Sequence, residues 1–250
     1  MITSKNNEKI KNVRKLLEQG KARAASGLFV VEGERICREV PRELLREVYV
    51  SEGFMNSVKD APAFEAFETV SDDVFKSMSG TVNPQGVLAV SAQPRRTFEG
   101  LEGISLFAVL DGIRDPGNMG TIIRTCEAAG AGVILSPDCV DIFNPKVIRS
   151  TMGSIFRVPF YIAEEGLPEA IRKLRSASVT VYAAALEGSK QLGKFKFSER
   201  RAFVIGNEAN GVSAEVLKEC DASVRIPMKG QVESLNAAVS CAVLLYHEIS

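Results

Sequence analysis

The apolar positions of this 250-residue chain fall into two regimes on either side of a polar stretch. In the first, short apolar runs alternate with amphipathic segments. Residues 4–19 read as a helix stopping at Gly20, and LFVVEG (28–33) as a short buried strand leading into a helix. LLREVYVS (44–51) reads as a strand, SDDVFKSMSG (71–80) as a helix with Ser71 at its N-cap and Gly80 at its stop, and GVLAVSAQ (86–93) as a strand. QPRRTFEGLEG (93–103) then brings Pro, Gly and charge with little apolar content, the composition of a linker. In the second regime the apolar runs are longer. ISLFAVLD (104–111), GVILS (132–136), VPFYIA (158–163), SVTVYAAAL (178–186) and RAFVIGN (201–207) read as strands. Helical segments alternate with them at 118–129, about 144–153, 166–175 and 213–219. Near-continuous apolar strands between helices predict a mostly parallel sheet covered on both faces. SLNAAVSCAVLLYHEI (234–249) is apolar almost all round and is expected to be a largely buried final helix. The expected organisation is a small α/β domain at 1–95, a linker at 96–103 and a second α/β domain at 104–250.

Composition narrows the class. A chain of this length can bury a sizeable core without covalent staples. No stretch of 18 apolar residues implies a membrane span, and the N-terminus lacks the apolar centre of a secretory signal, so the expected location is cytoplasmic with no membrane partner. The five cysteines (37, 126, 139, 220 and 241) are odd in number and show no C-x-x-C spacing, which argues against a disulfide framework and a zinc site. The net charge is zero, but residues 1–23 hold seven cations (Lys5, Lys9, Lys11, Arg14, Lys15, Lys21, Arg23) against Glu8 and Glu18. That local charge of +5 fits either a basic arm meeting phosphates or a solvated helix face.

Several chemistries are excluded. The single histidine, His247, leaves little with which to build a Ser-His-Asp or Cys-His device. No G-x-x-x-x-G-K-[ST] phosphate loop is present, and the turn after the first long strand, DGIRDPGN, is not a dinucleotide-binding glycine pattern. No His/Asp/Glu cluster suggests a metal.

Three stretches gather Gly, Asn, Ser, Glu and Arg at strand C-terminal ends, where open α/β sheets place their ligands. The first is DGIRDPGNMGTIIRTCEAAG (111–130), with Asn118 as expected N-cap. As a helix it gathers Met119, Ile122, Ile123, Cys126 and Ala129 on one face and sets Arg124 opposite, among the small residues Gly120, Thr121 and Ala128. The second is FVIGNEANGVS (203–213) and the third VRIPMKGQVESLNAAVSCAV (224–243), where a strand runs to Ile226-Pro227-Met228 and Ser234-Leu235-Asn236 opens the last helix. Singly, each also reads as ordinary punctuation: a positive-φ turn, a helix cap, a solvated arginine.

Together, their order and spacing resemble the SpoU (TrmH-like) family of RNA 2'-O-ribose methyltransferases in the SPOUT superfamily. Asn118-Met119-Gly120-Thr121-Ile122-Ile123-Arg124 fits its N-x-G-x-x-x-R motif, Gly206 to Gly211 its G-[NS]-E-x-x-G motif, and Ile226-Pro227-Met228 with Ser234 to Ser240 its third. FVVEGERICREV (29–40) resembles the substrate-binding domain that often precedes this catalytic domain, a ribosomal-protein-like (L30e-like) α/β module that binds structured RNA. The resemblance favours the RNA reading of the basic N-terminal helix. It implies a trefoil-knotted C-terminal domain, a homodimer, and S-adenosyl-L-methionine as methyl donor without a metal.

The same resemblance implies a site. Gly206, Ile226, Met228 and Leu235, with Ala184, Ala185 and Leu186, are the expected cofactor contacts, and Gly206 would let the ligand approach closely. Arg124, Asn118, Glu208, Ser234 and Asn236 are the expected catalytic set. A guanidinium resists deprotonation, so Arg124 is read as a clamp on the target phosphate and a stabiliser of the forming alkoxide rather than a general base. The proton would leave through phosphate, water or Ser234, with Asn118 fixing the loop and Glu208 orienting Asn118 or Arg124. The expected substrate is ribosomal RNA. The alternatives are a tRNA 2'-O-methyltransferase, a methyltransferase of a small molecule, or a noncatalytic RNA-binding or ribosome-assembly protein that kept the fold.

Overall fold

The computed structural model describes residues 1–57, 64–95, 97–185 and 189–247. The chain divides into two compact units, one of residues 1–95 with 143–156, the other of 96–142 with 157–250. In chain order the first holds α1 (Glu8–Glu18), α2 (Gly20–Ser26), β1 (Leu28–Glu32), α3 (Glu34–Arg38), β2 (Leu45–Ser51), α4 (Glu52–Ser57), β3 (Glu68–Val70), α5 (Asp72–Ser77) and β4 (Val87–Ala92). There follow β5 (Leu106–Asp111), α6 (Pro116–Ala128), β6 (Gly132–Leu135), α7 (Pro145–Thr151), β7 (Phe160–Ile162), α8 (Leu167–Ser176), β8 (Thr180–Ala184), β9 (Lys190–Gln191), β10 (Arg201–Gly206), α9 (Ala214–Glu219), β11 (Ala222–Arg225) and α10 (Ala237–Tyr246).

The first unit is built on a four-stranded sheet ordered β1-β4-β2-β3. β4 runs antiparallel to β1 and β2, and β2 parallel to β3. Ile10, Val13 and Leu16 recur along one side of α1 and are fully buried against a core that includes Tyr49, Phe75 and Leu88. The helix is shorter than its periodicity suggests because the Asn7 side chain caps it, accepting from the Lys9 N–H at 2.9 Å. Gly20, expected to stop α1, instead opens α2; the break is one residue earlier, at the extended Gln19, and α2 ends on the left-handed Gly27.

The basic face of this region is partly spent on the protein itself. Lys5 pairs with Asp73 at 2.7 Å, Lys9 with Glu68, and Lys11 with Glu8 at 2.7 Å. Arg23 is 3% exposed and donates to the Leu16 carbonyl at 2.7 Å. Arg14, Lys15 and Lys21 are exposed and make no ion pair among the described residues.

The second unit carries a seven-stranded sheet ordered β7-β6-β5-β10-β8-β11-β9, and every pairing in it is parallel. This is the mostly parallel α/β sheet that the long apolar runs predict. β5, β6 and β10 lie near its centre and are buried along nearly their whole length. β11 ends at Arg225, short of the expected Met228: Pro227 has no N–H to continue a ladder. α10 begins at Ala237 with Asn236 as its cap, not at Ser234. It is also less buried than expected, since Val239 and Tyr246 are 48% and 47% exposed. No helix of the described residues is long and apolar enough to cross a membrane.

The domain boundaries read from the sequence ran 104–250 without a break, but the segment 143–156 packs with residues 1–95. Phe143 and Phe156 sit against Phe29 of β1, with ring centroids 4.9 and 6.0 Å apart, and Val147 and Ile148 of α7 are buried beside them. Periodicity reveals that a helix buries one face; it does not say against which sheet. Replacing Phe143, 6% exposed, with Ala should therefore destabilise the first unit by about 3–5 kcal/mol. Urea unfolding followed at probes in residues 1–95 checks this; an unchanged midpoint there would contradict the packing.

Candidate active site

The three motif stretches converge at the C-terminal ends of β5, β10 and β11. α6 opens with Asp115 as its cap, whose Oδ1 accepts from the Asn118 N–H at 2.7 Å, and Pro116 takes the first helical position. Asn118, expected as the cap, is instead in the first turn, and its side chain is free for other work. The Asp-Pro pair was the signal for this start. Met119, Ile122, Ile123 and Cys126 are fully buried. Arg124 is exposed and makes no ion pair or side-chain hydrogen bond among the described residues. Of its expected small neighbours, Thr121 and Ala128 are exposed and Gly120 is buried.

Asn118 joins the other two motifs. Its Nδ2 donates to Glu208 Oε1 at 2.8 Å, and its Oδ1 accepts from Asn236 Nδ2 at 2.8 Å. Asn236 Oδ1 in turn accepts from the N–H groups of Ala238 (2.9 Å) and Val239 (3.3 Å), capping α10. Burial pushes the Glu208 carboxyl upward, but hydrogen bonds from the Asn118 side chain and from the backbone N–H groups of Glu208, Arg114 and Asp115 outweigh it. The net effect holds Glu208 below the usual carboxylate range.

The loop carrying Glu208 is a tight return. Asn207 and Gly211 exchange backbone hydrogen bonds at 3.0 and 2.9 Å. A Cβ on Gly206 would stand 2.1 Å from the Gly211 carbonyl carbon and 2.2 Å from the Val212 nitrogen. The space where a Cβ on Gly206 would stand is filled by this returning backbone. Asn207, which sequence reasoning left out of the site, donates to the Gly112 carbonyl at 2.7 Å and so ties the β10 loop to the β5 loop.

The third stretch has the character of a ligand cradle. Ile226, Met228 and Leu235 are half-buried. From Pro227 to Leu235 the main chain makes no hydrogen bond among the described residues. Half-buried apolar side chains beside free amides and carbonyls suit a flat, hydrogen-bonding heterocycle. Ala184 and Ala185 are half-buried at the end of β8, and the Ala185 N–H donates to the Val224 carbonyl at 3.1 Å. Leu186 lies outside the described residues. Ser234 is exposed and has no hydrogen-bond partner among them. No group of three or more His, Cys, Asp or Glu side chains that could hold a metal occurs among the described residues. His247 lies edge-on to Phe197, 6.0 Å between centroids.

A family model described as the SpoU rRNA Methylase family matches residues 105–246, and one described as the MRM3-like substrate binding domain matches residues 7–89. Among relatives, the 23S rRNA (guanosine(2553)-2'-O)-methyltransferase RlmP of Bacillus subtilis (strain 168) is 34% identical, over 98% of each chain. The crystal structure of an rRNA methyltransferase from Sinorhizobium meliloti superposes with a TM-score of 0.85 at 31% identity, covering 100% of this chain and 98% of that one. The AdoMet-bound form of that enzyme gives a TM-score of 0.84 at 31% identity over the same shares.

The lowered Glu208 value sets a pH dependence. Its stabilisation is complete above the ordinary glutamate value of about 4.3 and is lost as pH falls through the lower folded value. Glu208→Gln should be less stable than the parent at neutral pH, with the gap closing below about pH 4. Urea midpoints measured across that range check it, and a gap independent of pH would contradict the ionised bonding. Asn236→Ala, which removes both the α10 cap and a partner of Asn118, should cost about 1–2 kcal/mol in the same assay.

Proposed function

This chain belongs to the SpoU rRNA Methylase family, and on that premise we propose that it transfers a methyl group from S-adenosyl-L-methionine to a ribose 2'-hydroxyl of large-subunit ribosomal RNA. The observation that carries the reading is Arg124, an exposed cation without an internal partner on the helix whose Asn118 binds both Glu208 and Asn236. When bound, S-adenosyl-L-methionine supplies an activated methyl group on a sulfonium. Ile226, Met228 and Leu235 would wall it, and the free main chain of 227–235, with the backbone of Gly206, Ala184 and Ala185, would hydrogen-bond it. Arg124 clamps the phosphate beside the target ribose and stabilises negative charge as it grows on the 2'-oxygen. Asn118, Glu208 and Asn236 act as positioning residues, holding the first turn of α6 against the loop after β10 and the start of α10. Ser234, exposed and without a partner, is free to pass the proton of the 2'-hydroxyl to water or phosphate.

The assembly is part of the same proposal. Val239, Val243 and Tyr246 recur along one side of α10, and the first and last are about half exposed. This apolar stripe supports a homodimer. Membership of the family supports a trefoil-knotted passage of the chain. The first unit, matching a substrate-binding domain, would hold structured RNA, with Arg14, Lys15 and Lys21 as free cations for phosphates. The site of action is the cytoplasm.

Purified protein, methyl-labelled S-adenosyl-L-methionine and ribosomal RNA from cells lacking this gene should place label at one 2'-O position of large-subunit RNA. Arg124→Ala should lower the transfer rate by about a hundredfold or more while leaving cofactor affinity nearly unchanged. Full transfer by that variant would remove Arg124 from the mechanism. Cofactor binding with label on transfer RNA alone would move the substrate, and neither label nor cofactor binding would favour a noncatalytic RNA-binding protein.

A further inference from the structure

We propose that Ser136, just past the C-terminal end of β6, is a positioning residue for methyl transfer, acting through the Gly112 peptide on the loop that presents Asn118. The proposal rests on the methyl-transfer reading above. Ser136 lies outside the three motif stretches and is 6% exposed. Its Oγ accepts from the Gly112 N–H at 2.9 Å and donates to Asp138 Oδ1 at 2.5 Å. A hydroxyl has one proton. With that proton taken by Asp138, the oxygen presents a lone pair to Gly112.

The other side of Gly112 is held as well, its carbonyl accepting from Asn207 Nδ2 at 2.7 Å. Two side chains from different strand ends thus clamp both polar groups of one buried residue. Gly112 has φ of +67°, and a Cβ there would stand 3.0 Å from Asp138 Oδ2, so this residue has to be glycine. Arg114, two residues on, reaches back towards Asp138 Oδ2 at 3.7 Å.

Only Ile113, Arg114 and Asp115 separate Gly112 from the first residue of α6. Within them the Asp115 side chain caps α6, accepting from the Asn118 N–H. A connection this short passes a tilt of the Gly112 peptide directly to Asn118, and through the Asn118 amide to Glu208. The cradle at 227–235 is on another segment and makes no bond to Ser136. Loss of the hydroxyl should therefore affect the transfer step and spare cofactor affinity.

The test uses the full chain with Ser136→Ala and Ser136→Thr. It reads cofactor affinity by calorimetry, kcat and KM for the RNA, and exchange of the Gly112 amide proton. Ser136→Ala should lower kcat by about ten- to a hundredfold, leave cofactor affinity within about twofold, and speed Gly112 exchange by about tenfold or more. Ser136→Thr keeps the hydroxyl and should recover most of kcat. Unchanged kcat in Ser136→Ala overturns the proposal. So does a parallel fall of kcat and cofactor affinity, the mark of a merely structural role, and so does a folded Ser136→Thr as slow as the alanine variant. If Ser136→Thr does not fold, the split between kcat and cofactor affinity in Ser136→Ala decides. A parent protein that transfers no methyl to any RNA sinks the methyl-transfer reading together with this one, whereas an active parent with an unaffected alanine variant sinks this one alone.

Discussion

The carboxamide of Asn118 uses both of its ends, giving its N–H to Glu208 and taking one from Asn236. Its partners are 90 and 118 residues away along the chain. A carboxylate can only accept and the Asn236 amide nitrogen can only donate, so the Asn118 side chain has one orientation that satisfies both. Three strand ends are thereby held at a single planar group. The surrounding bonds multiply the constraint: Asp115 and Asn236 cap the two helices, and Asn207 binds the β5 loop. A site fixed this way does not reorganise when charge develops in it, which is the condition under which oriented groups lower a barrier.

Arg124 lies beside this bonded network without joining it. Some cations of the second unit have acidic partners, Arg157 with Glu127 and Arg172 with Glu169 and Glu219, while others such as Lys218 and Arg225 have none among the described residues. Arg124 has none among the described residues, and it rides on a helix whose opposite face is buried in the core. Its position is rigid while its charge is uncommitted, which suits a side chain awaiting an anionic ligand. The division of labour is between mutually bonded groups that align and an exposed cation that engages.

Much of this was legible beforehand. The parallel sheet followed from apolar runs that only a doubly covered strand can tolerate, and the three motif stretches were marked by Gly, Asn and Glu at strand ends. The element boundaries were less legible, because they depend on which side chain closes a helix. Asp115 took the capping role expected of Asn118, and α10 begins behind Asn236 rather than at Ser234; those shifts of two or three residues freed Asn118 to bridge and left Ser234 exposed. The packing reason for Gly206 was not legible either. A missing Cβ marks a close approach without naming what approaches, and here it is the protein's own backbone.

By itself, the sequence determined the α/β class, the longer strands and helices but not α2, α4, β3 or β9, the absence of an active-site histidine pair, and a motif set that resembles one family of RNA methyltransferases. These are properties of local pattern, and period and composition encode them. Tertiary structure alone decided that 143–156 would cover β1, that four of the seven N-terminal cations would be spent on internal partners, and that Asn118, Glu208 and Asn236 would meet. Each of those outcomes depends on a side chain finding one partner among many that are chemically equivalent. The choice is made by distance in the folded chain, a quantity that no local pattern carries.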